Sequence, residues 1–291
     1  MKIICKLNFI VTIVVPLLLF SACSSNTIKT YDKLTVAVSI VPQETFVKEI
    51  AGDIVDVITV IPPGKSPANY APAPQGLEKL SHSSIYFTIG VPAEQSSIIP
   101  RLKEINDDIR IIDMSDAVRK QYPEREFSPG QRDPHIWLSP KRAIIMVESI
   151  AQELSSIDNK NSDVYQKNAL SYIDKLKKLD IEIENSFDKL KNRAFITYHP
   201  SLGYFADDYG LTMISIQSEG KDATPNDLQR VIDAAKKYDI KTVFYQAEID
   251  SRHSQVIASE LGGKAVEIAP LAPDYIDNLK KIAALIVNSH E

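Results

Sequence analysis

Thiols are almost missing from this chain, which has two cysteines in 291 residues, Cys5 and Cys23. Both fall in the first 23 positions, so the body that follows has none. That excludes internal disulfides and thiolate metal sites, and any metal must be held by nitrogen and oxygen. Long apolar runs are absent after residue 23, which argues against a later membrane span. Basic clusters are scarce as well. Without Lys2 and Lys6 the formal charge moves from −5 to −7, and a phosphate-binding face needs clustered Lys and Arg, so nucleic acid is excluded as a partner. No HExxH, no GxSxG and no glycine-rich phosphate loop occurs, which removes the commonest hydrolase signatures and points away from an enzyme.

What is present begins with a leader. Lys2 and Lys6 precede an uncharged run from Phe9 to Phe20 that ends in Ser21, Ala22 and Cys23. The run is shorter than the roughly 20 residues a spanning helix needs, and small residues before a cysteine suit lipoprotein processing. We expect residues 1–23 to be a lipoprotein signal peptide with Cys23 as the lipidated position, and the polar segment 24–33 to be a tether. An uncleaved anchor is the alternative. Either way the body is exported, to the outer face of the cytoplasmic membrane or the periplasm, and in the lipoprotein reading a lipid on Cys23 ties it to the membrane.

Within the body, β-rich runs alternate with helical patterns. "LTVAVSI" from Leu34, "DIVDVITV" from Asp53, "SIYFTIG" from Ser84 and "IRIIDM" from Ile109 predict strands, and a helix follows from about Pro140 to Ser156. Such alternation implies βαβ units and a mainly parallel sheet covered by helices. From Tyr165 the apolar residues Ala169, Tyr172, Leu176, Leu179, Ile183, Phe187 and Leu190 recur every three or four positions, the period of one long amphipathic helix. Strand patterns then resume at "AFITYH", "LTMISIQ", "KTVFYQ" and "KAVEI", with helices near Asn226 to Tyr238, Ser251 to Leu261 and Asp274 to Ser289. The expected fold is α/β. An N-terminal lobe over 34–158 and a C-terminal lobe over 193–291 are joined by a rigid spine helix over 159–192.

Five histidines are available for chemistry. His82, His253 and His290 sit at helix ends or in the tail and read as solvated surface. His135 lies in "DPHIWLSP", the loop that closes the first lobe and carries the only tryptophan, Trp137. His199 directly follows the strand "AFITYH". Ligands of open parallel sheets bind beyond the carboxyl ends of strands, so one imidazole from each lobe could clamp a transition metal between them. Spacing alone leaves open the alternative of two histidines hydrogen-bonded within loops.

"PPGKSPANYAPAPQGLEKL", "YFTIG", "DPHIWLSP", the spine helix, "FITYHPSLGYFADDYGL" and "IAPLAPDYIDNLKKIA" occur in an order that resembles the zinc and manganese solute-binding lipoproteins of ABC transporters. The resemblance spans nearly the whole body. It implies an extracytoplasmic receptor that captures a divalent metal in an interlobe cleft, zinc first and manganese next. The receptor would be a monomer that hands its cargo to an ABC permease and its ATPase. It also implies that His135 and His199 are direct metal ligands. Asn69 stands where the family offers a histidine, and Gln246 and Ala269 stand where it offers a carboxylate. The transferred set is therefore His135, His199, Asn69 and Gln246, without an anion, and Glu219, Glu248 or Asp250 could compensate. A receptor for a metal chelate and a surface adhesion or structural lipoprotein with a degenerate site are the alternatives. The loop "RKQYPEREFSPGQR" lacks the histidine-rich stretch of many zinc relatives.

Overall fold

The computed structural model describes residues 33–217, 223–249 and 252–290. Cys23, Glu219 and Asp250 lie outside the described residues, as do the leader and all of the tether except Lys33. Among the described residues no helix is long and apolar enough to cross a membrane.

The first half of the chain forms a four-stranded parallel sheet from β1 (Leu34–Val38), β2 (Val55–Thr59), β3 (Ile85–Thr88) and β4 (Arg110–Asp113), in the order β2-β1-β3-β4. Parallel neighbours need crossovers, which α1 (Val41–Ala51), α2 (Pro74–Ser81) and α3 (Ile99–Ile105) supply. After α4 (Met114–Arg119), a short antiparallel pair of β5 (Glu126–Ser128) and β6 (Gln131–Arg132) delivers the chain to the His135 loop. The two central strands are buried on both faces. Val36, Ala37 and Val38 of β1 and Ile85, Tyr86 and Phe87 of β3 are fully buried, as expected where helices cover both sides of a sheet.

α5 (Pro140–Ile157) starts with Pro140 at its first position and Ser139 as cap, the Ser139 Oγ accepting from Arg142 N–H at 3.1 Å. α6 (Ser162–Phe187) follows after one tight turn. Its 26 residues run roughly 39 Å at 1.5 Å per residue. Tyr165, Ala169, Tyr172, Ile173, Leu176, Leu179, Ile183 and Phe187 form its buried stripe, which packs on α1, α5 and the C-terminal α10 described below. The helix stops at Phe187, so Leu190 packs from the following turn rather than from the helix.

A second parallel sheet follows, built from β7 (Ala194–Thr197), β8 (Thr212–Ser215), β9 (Thr242–Gln246) and β10 (Lys264–Ile268) in the order β10-β9-β7-β8. Its connecting helices are α7 (Gly203–Asp208), α8 (Pro225–Lys237) and α9 (Arg252–Glu260), and α10 (Tyr275–Asn288) returns to the spine. The start of α8 is a capping box. Thr224 Oγ1 accepts from Asp227 N–H at 3.3 Å, and the Asp227 carboxylate accepts from Thr224 N–H at 3.0 Å.

One continuous apolar cluster runs from the first sheet through α5 and α6 to Phe195, Phe205 and Phe244 of the second half. Polar contacts reinforce it across the seam. Arg142, nearly buried, donates to Asp208 Oδ1 at 2.7 Å while its guanidinium lies 4.4 Å from the centre of the Tyr204 ring. The Tyr204 hydroxyl donates to Asp133 O at 3.0 Å. A shared core and a buried ion pair hold the two sheets in one fixed relation, so the cleft between them is preformed.

Candidate metal site

The carboxyl ends of both sheets open on one cavity of about 320 Å³. The first lobe contributes Ser66, Pro67 and Ala68 after β2, Gly90 and Val91 after β3, Arg132 at the end of β6, and His135 and Trp137 from the loop that follows it. The second contributes His199 after β7, Gln246 and Glu248 at the end of β9, and Pro270 and Leu271 after β10. This is where open α/β sheets place their ligands.

His135 is fixed from behind. Asp133 is fully buried, and its Oδ1 accepts from the His135 backbone N–H at 3.0 Å and faces Nδ1 at 2.7 Å. Its other oxygen lies 3.4 Å from Arg125 Nε, and Arg125 is held in turn by Asp207. Gly203 makes room for this pair, because a Cβ there would come 2.2 Å from Arg125 Nε. The Trp137 ring packs 5.0 Å from the imidazole, centre to centre, and its indole N–H donates to Pro270 O at 2.9 Å, tying the loop to the second lobe. Trp137 therefore both packs as core and walls the cavity.

His199 is oriented in the same manner, its Nδ1 facing Gln217 Oε1 at 2.9 Å. Burial pushes His199 down to about 4, and the neighbouring His135 acts in the same direction, while the Gln217 hydrogen bond and Asp133 pull less strongly upward. The ring is thus neutral, the form that binds metal.

With both Nδ1 atoms directed at oxygen acceptors, both Nε2 atoms meet each other, 3.3 Å apart. At that range either ring can donate to the other, according to its tautomer. A tetrahedral zinc with Zn–N bonds of about 2.0–2.1 Å sets its two nitrogens about 3.3–3.4 Å apart. The residues present fit one edge of such a shell, and a metal would take the place of the contact between the two Nε2 atoms.

The other positions differ. Gln246 is buried and its amide nitrogen donates to Ser201 Oγ at 2.5 Å, which leaves the amide oxygen as the atom it could offer a metal. Asn69 is exposed, one residue past the wall residue Ala68. Glu248 lines the cavity, and its Oε2 is buried without a hydrogen-bond partner. Ala269 immediately precedes the wall residues Pro270 and Leu271. Among the described residues no group of three His, Cys, Asp or Glu is assembled for a metal. His82 and His253 are exposed and His290 half-buried, all outside the cavity wall. Asp133, Arg132 and Gly90 escaped the reading of the sequence. The only available signal was that "RDP" directly precedes His135.

Two parallel α/β lobes fixed by one long helix, with an imidazole from each facing into the cleft, define a metal-binding solute receptor of the ABC-importer class. The chain belongs to the family described as "ZnuA: Zinc-uptake complex component A periplasmic", whose model matches residues 36–289. This is a family of substrate-binding transport proteins, not of enzymes. The chain is 30% identical over 275 residues to the iron ABC transporter substrate-binding lipoprotein MtsA of Streptococcus pyogenes, covering 88% of this chain and 86% of that protein. It is 28% identical over 261 residues to the zinc-binding protein AdcA of Streptococcus pyogenes serotype M1, covering 82% of this chain and 50% of that protein. A crystal structure of ZnuA superimposes with a TM-score of 0.84 at 35% identity, over 89% of this chain and all of that one.

Proposed function

We propose that this protein is the extracytoplasmic receptor of an ABC importer for a divalent transition metal, with zinc as the preferred ion and manganese or iron as the competitors. The observation that carries this reading is the 3.3 Å separation of His135 Nε2 and His199 Nε2, which matches a tetrahedral edge. Two imidazoles without a thiolate suit zinc, and relatives whose names specify iron and zinc mark the range of cargo. In this reading His135 and His199 bind the ion directly and Gln246 offers its amide oxygen. Asn69 would join only through a movement of loop 62–73, and so contributes least. A lipid on Cys23 would keep the body, as a monomer, beside the permease and ATPase that accept the ion.

The test is metal analysis of protein purified without added metal, followed by calorimetric titration with Zn, Mn and Fe(II). The expected result is one equivalent of metal, with zinc tightest and binding abolished in His199→Ala. Absence of binding for all three ions, with or without added small chelators, would sink the proposal.

A further inference from the structure

The two histidines of the cleft are held from behind by groups of different charge. His135 faces Asp133, a fully buried carboxylate, from Nδ1 at 2.7 Å. His199 faces the neutral amide of Gln217, from Nδ1 at 2.9 Å. This difference is built into the second sheet. The pairing of β8 with β7 runs on past the last residue of each strand, with Ile216 N–H donating to Thr197 O at 2.9 Å and Gln217 N–H to Tyr198 O at 2.8 Å. The extended ladder sets Gln217, itself buried, beside His199. The backbone of His199 is fixed as well, its carbonyl accepting from Thr197 Oγ1 at 3.0 Å and from Ser201 N–H at 2.8 Å. The ring is therefore carried on a rigid strand end, and Gln217 is the partner that sets its rotation.

An amide oxygen that accepts the Nδ1 proton leaves Nε2 free for a metal, as a carboxylate does, but it brings no charge. A carboxylate behind an imidazole makes the stronger hydrogen bond and raises the basicity of the ring, and a neutral acceptor does less of both. A metal bridging the two Nε2 atoms would thus be held more firmly by His135 than by His199. Differences in affinity between closely related complexes fall mainly on the dissociation rate, so the charge behind His199 bears on release more than on capture.

We propose that Gln217 is a positioning residue that sets how fast the ion leaves. It turns His199 toward the metal and, because it is neutral, keeps His199 the weaker of the two imidazole ligands. The second lobe is then the side of the cleft that yields its cargo. This inference rests on the cleft being a metal site.

Stopped-flow release of zinc from the intact protein into an excess of chromophoric chelator tests it, at about pH 8 so that histidine, with an ordinary pKa of about 6.5, is neutral. Gln217→Glu, which keeps the length and adds the charge, should slow release by at least about tenfold. Gln217→Met, which keeps nearly the same shape but cannot accept the Nδ1 proton, should quicken release by at least about tenfold. Association should stay within about threefold of the parent in both. Effects of opposite sign on release alone are not what general damage to the fold produces. Release unchanged in both variants, or quickened in both, would overturn the inference, and zinc binding by the parent would leave the receptor reading standing. If Gln217→Glu does not fold, Gln217→Met decides, and release at the parent's rate overturns the inference. A parent that binds no zinc, manganese or iron would bring down the receptor reading itself.

Discussion

Asp133 Oδ1 lies 2.7 Å from Nδ1 of His135 and also accepts that residue's backbone N–H, so one buried carboxylate fixes both the ring and the loop that carries it. A carboxylate behind a ligating imidazole sets its tautomer and raises its basicity, and loss of such a partner costs about 10–100-fold in metal affinity. Asp133→Asn should therefore weaken zinc binding by that factor in calorimetry. Its melting temperature should change little, because Arg125 keeps Asp207 as a second partner. A variant with unchanged affinity would show that the orientation of His135 is set elsewhere.

The burial of His199 has a measurable consequence. Metal needs its Nε2 lone pair, and burial keeps that lone pair unprotonated at neutral pH. Folding stability follows from the pKa of His199, which falls from 6.5 to about 4 on folding. The folded state resists protonation that the unfolded chain accepts, so this stabilisation is present above pH 6.5 and is lost as pH falls through 4. His199→Gln should flatten the dependence of the melting temperature on pH in that window.

Glu94 titrates with the opposite sign. It is fully buried on the wide π-type turn Glu94–Ile98 and accepts from Ser39 Oγ and from the N–H groups of Ile89 and Gly90 at 2.9 and 2.6 Å. Burial nevertheless outweighs those hydrogen bonds and raises it from 4.5 to about 7. The folded state therefore prefers the protonated acid, and that contribution is present below pH 4.5 and lost as pH rises through 7. Relative to Glu94→Gln, which keeps the neutral form at every pH, the melting temperature of the parent should fall between pH 5 and 8.

The reach of the sequence can be judged residue by residue. His199 was legible because it directly follows a strand, and strand ends are where open sheets bind ligands. The α6 stripe was legible because helical periodicity survives any tertiary arrangement, and six of the seven apolar positions counted on from Tyr165, all but Leu190, lie on its buried face. Arg132 and Gly90 were not. Their contact joins residues 42 positions apart, and it exists only because β3 and β6 end at the same edge. Asp133 was visible two residues before His135, but its role depends on a side-chain rotamer and on Gly203 leaving space for Arg125. The exposure of Asn69 follows from the path of a proline-rich loop, which no periodicity encodes.

Arg142 and Asp208 carry the next prediction. Their side chains are 5% and 9% exposed, and Arg142 is stacked on Tyr204. Removing one partner of a buried pair strands the other charge, at a cost of about 3–5 kcal/mol. Asp208→Ala should lose stability of that order in urea unfolding. Because the pair bridges the two lobes, the same variant should also bind zinc more weakly at temperatures where it remains folded.

Ala269 offers the most direct manipulation of the charge imbalance. It directly follows β10 and immediately precedes Pro270 and Leu271 of the cavity wall. Ala269→Asp would supply the anion that two imidazoles and an amide do not, and a closed tetrahedral shell prefers four donors. Zinc alone should then bind at least about tenfold more tightly, a gain of about 1.4 kcal/mol. His199→Ala should abolish binding in either background. If the parent already binds zinc at nanomolar affinity and Ala269→Asp does not change it, a carboxylate of the chain, Glu219, Glu248 or Asp250, must already complete the shell, and the anion is not missing.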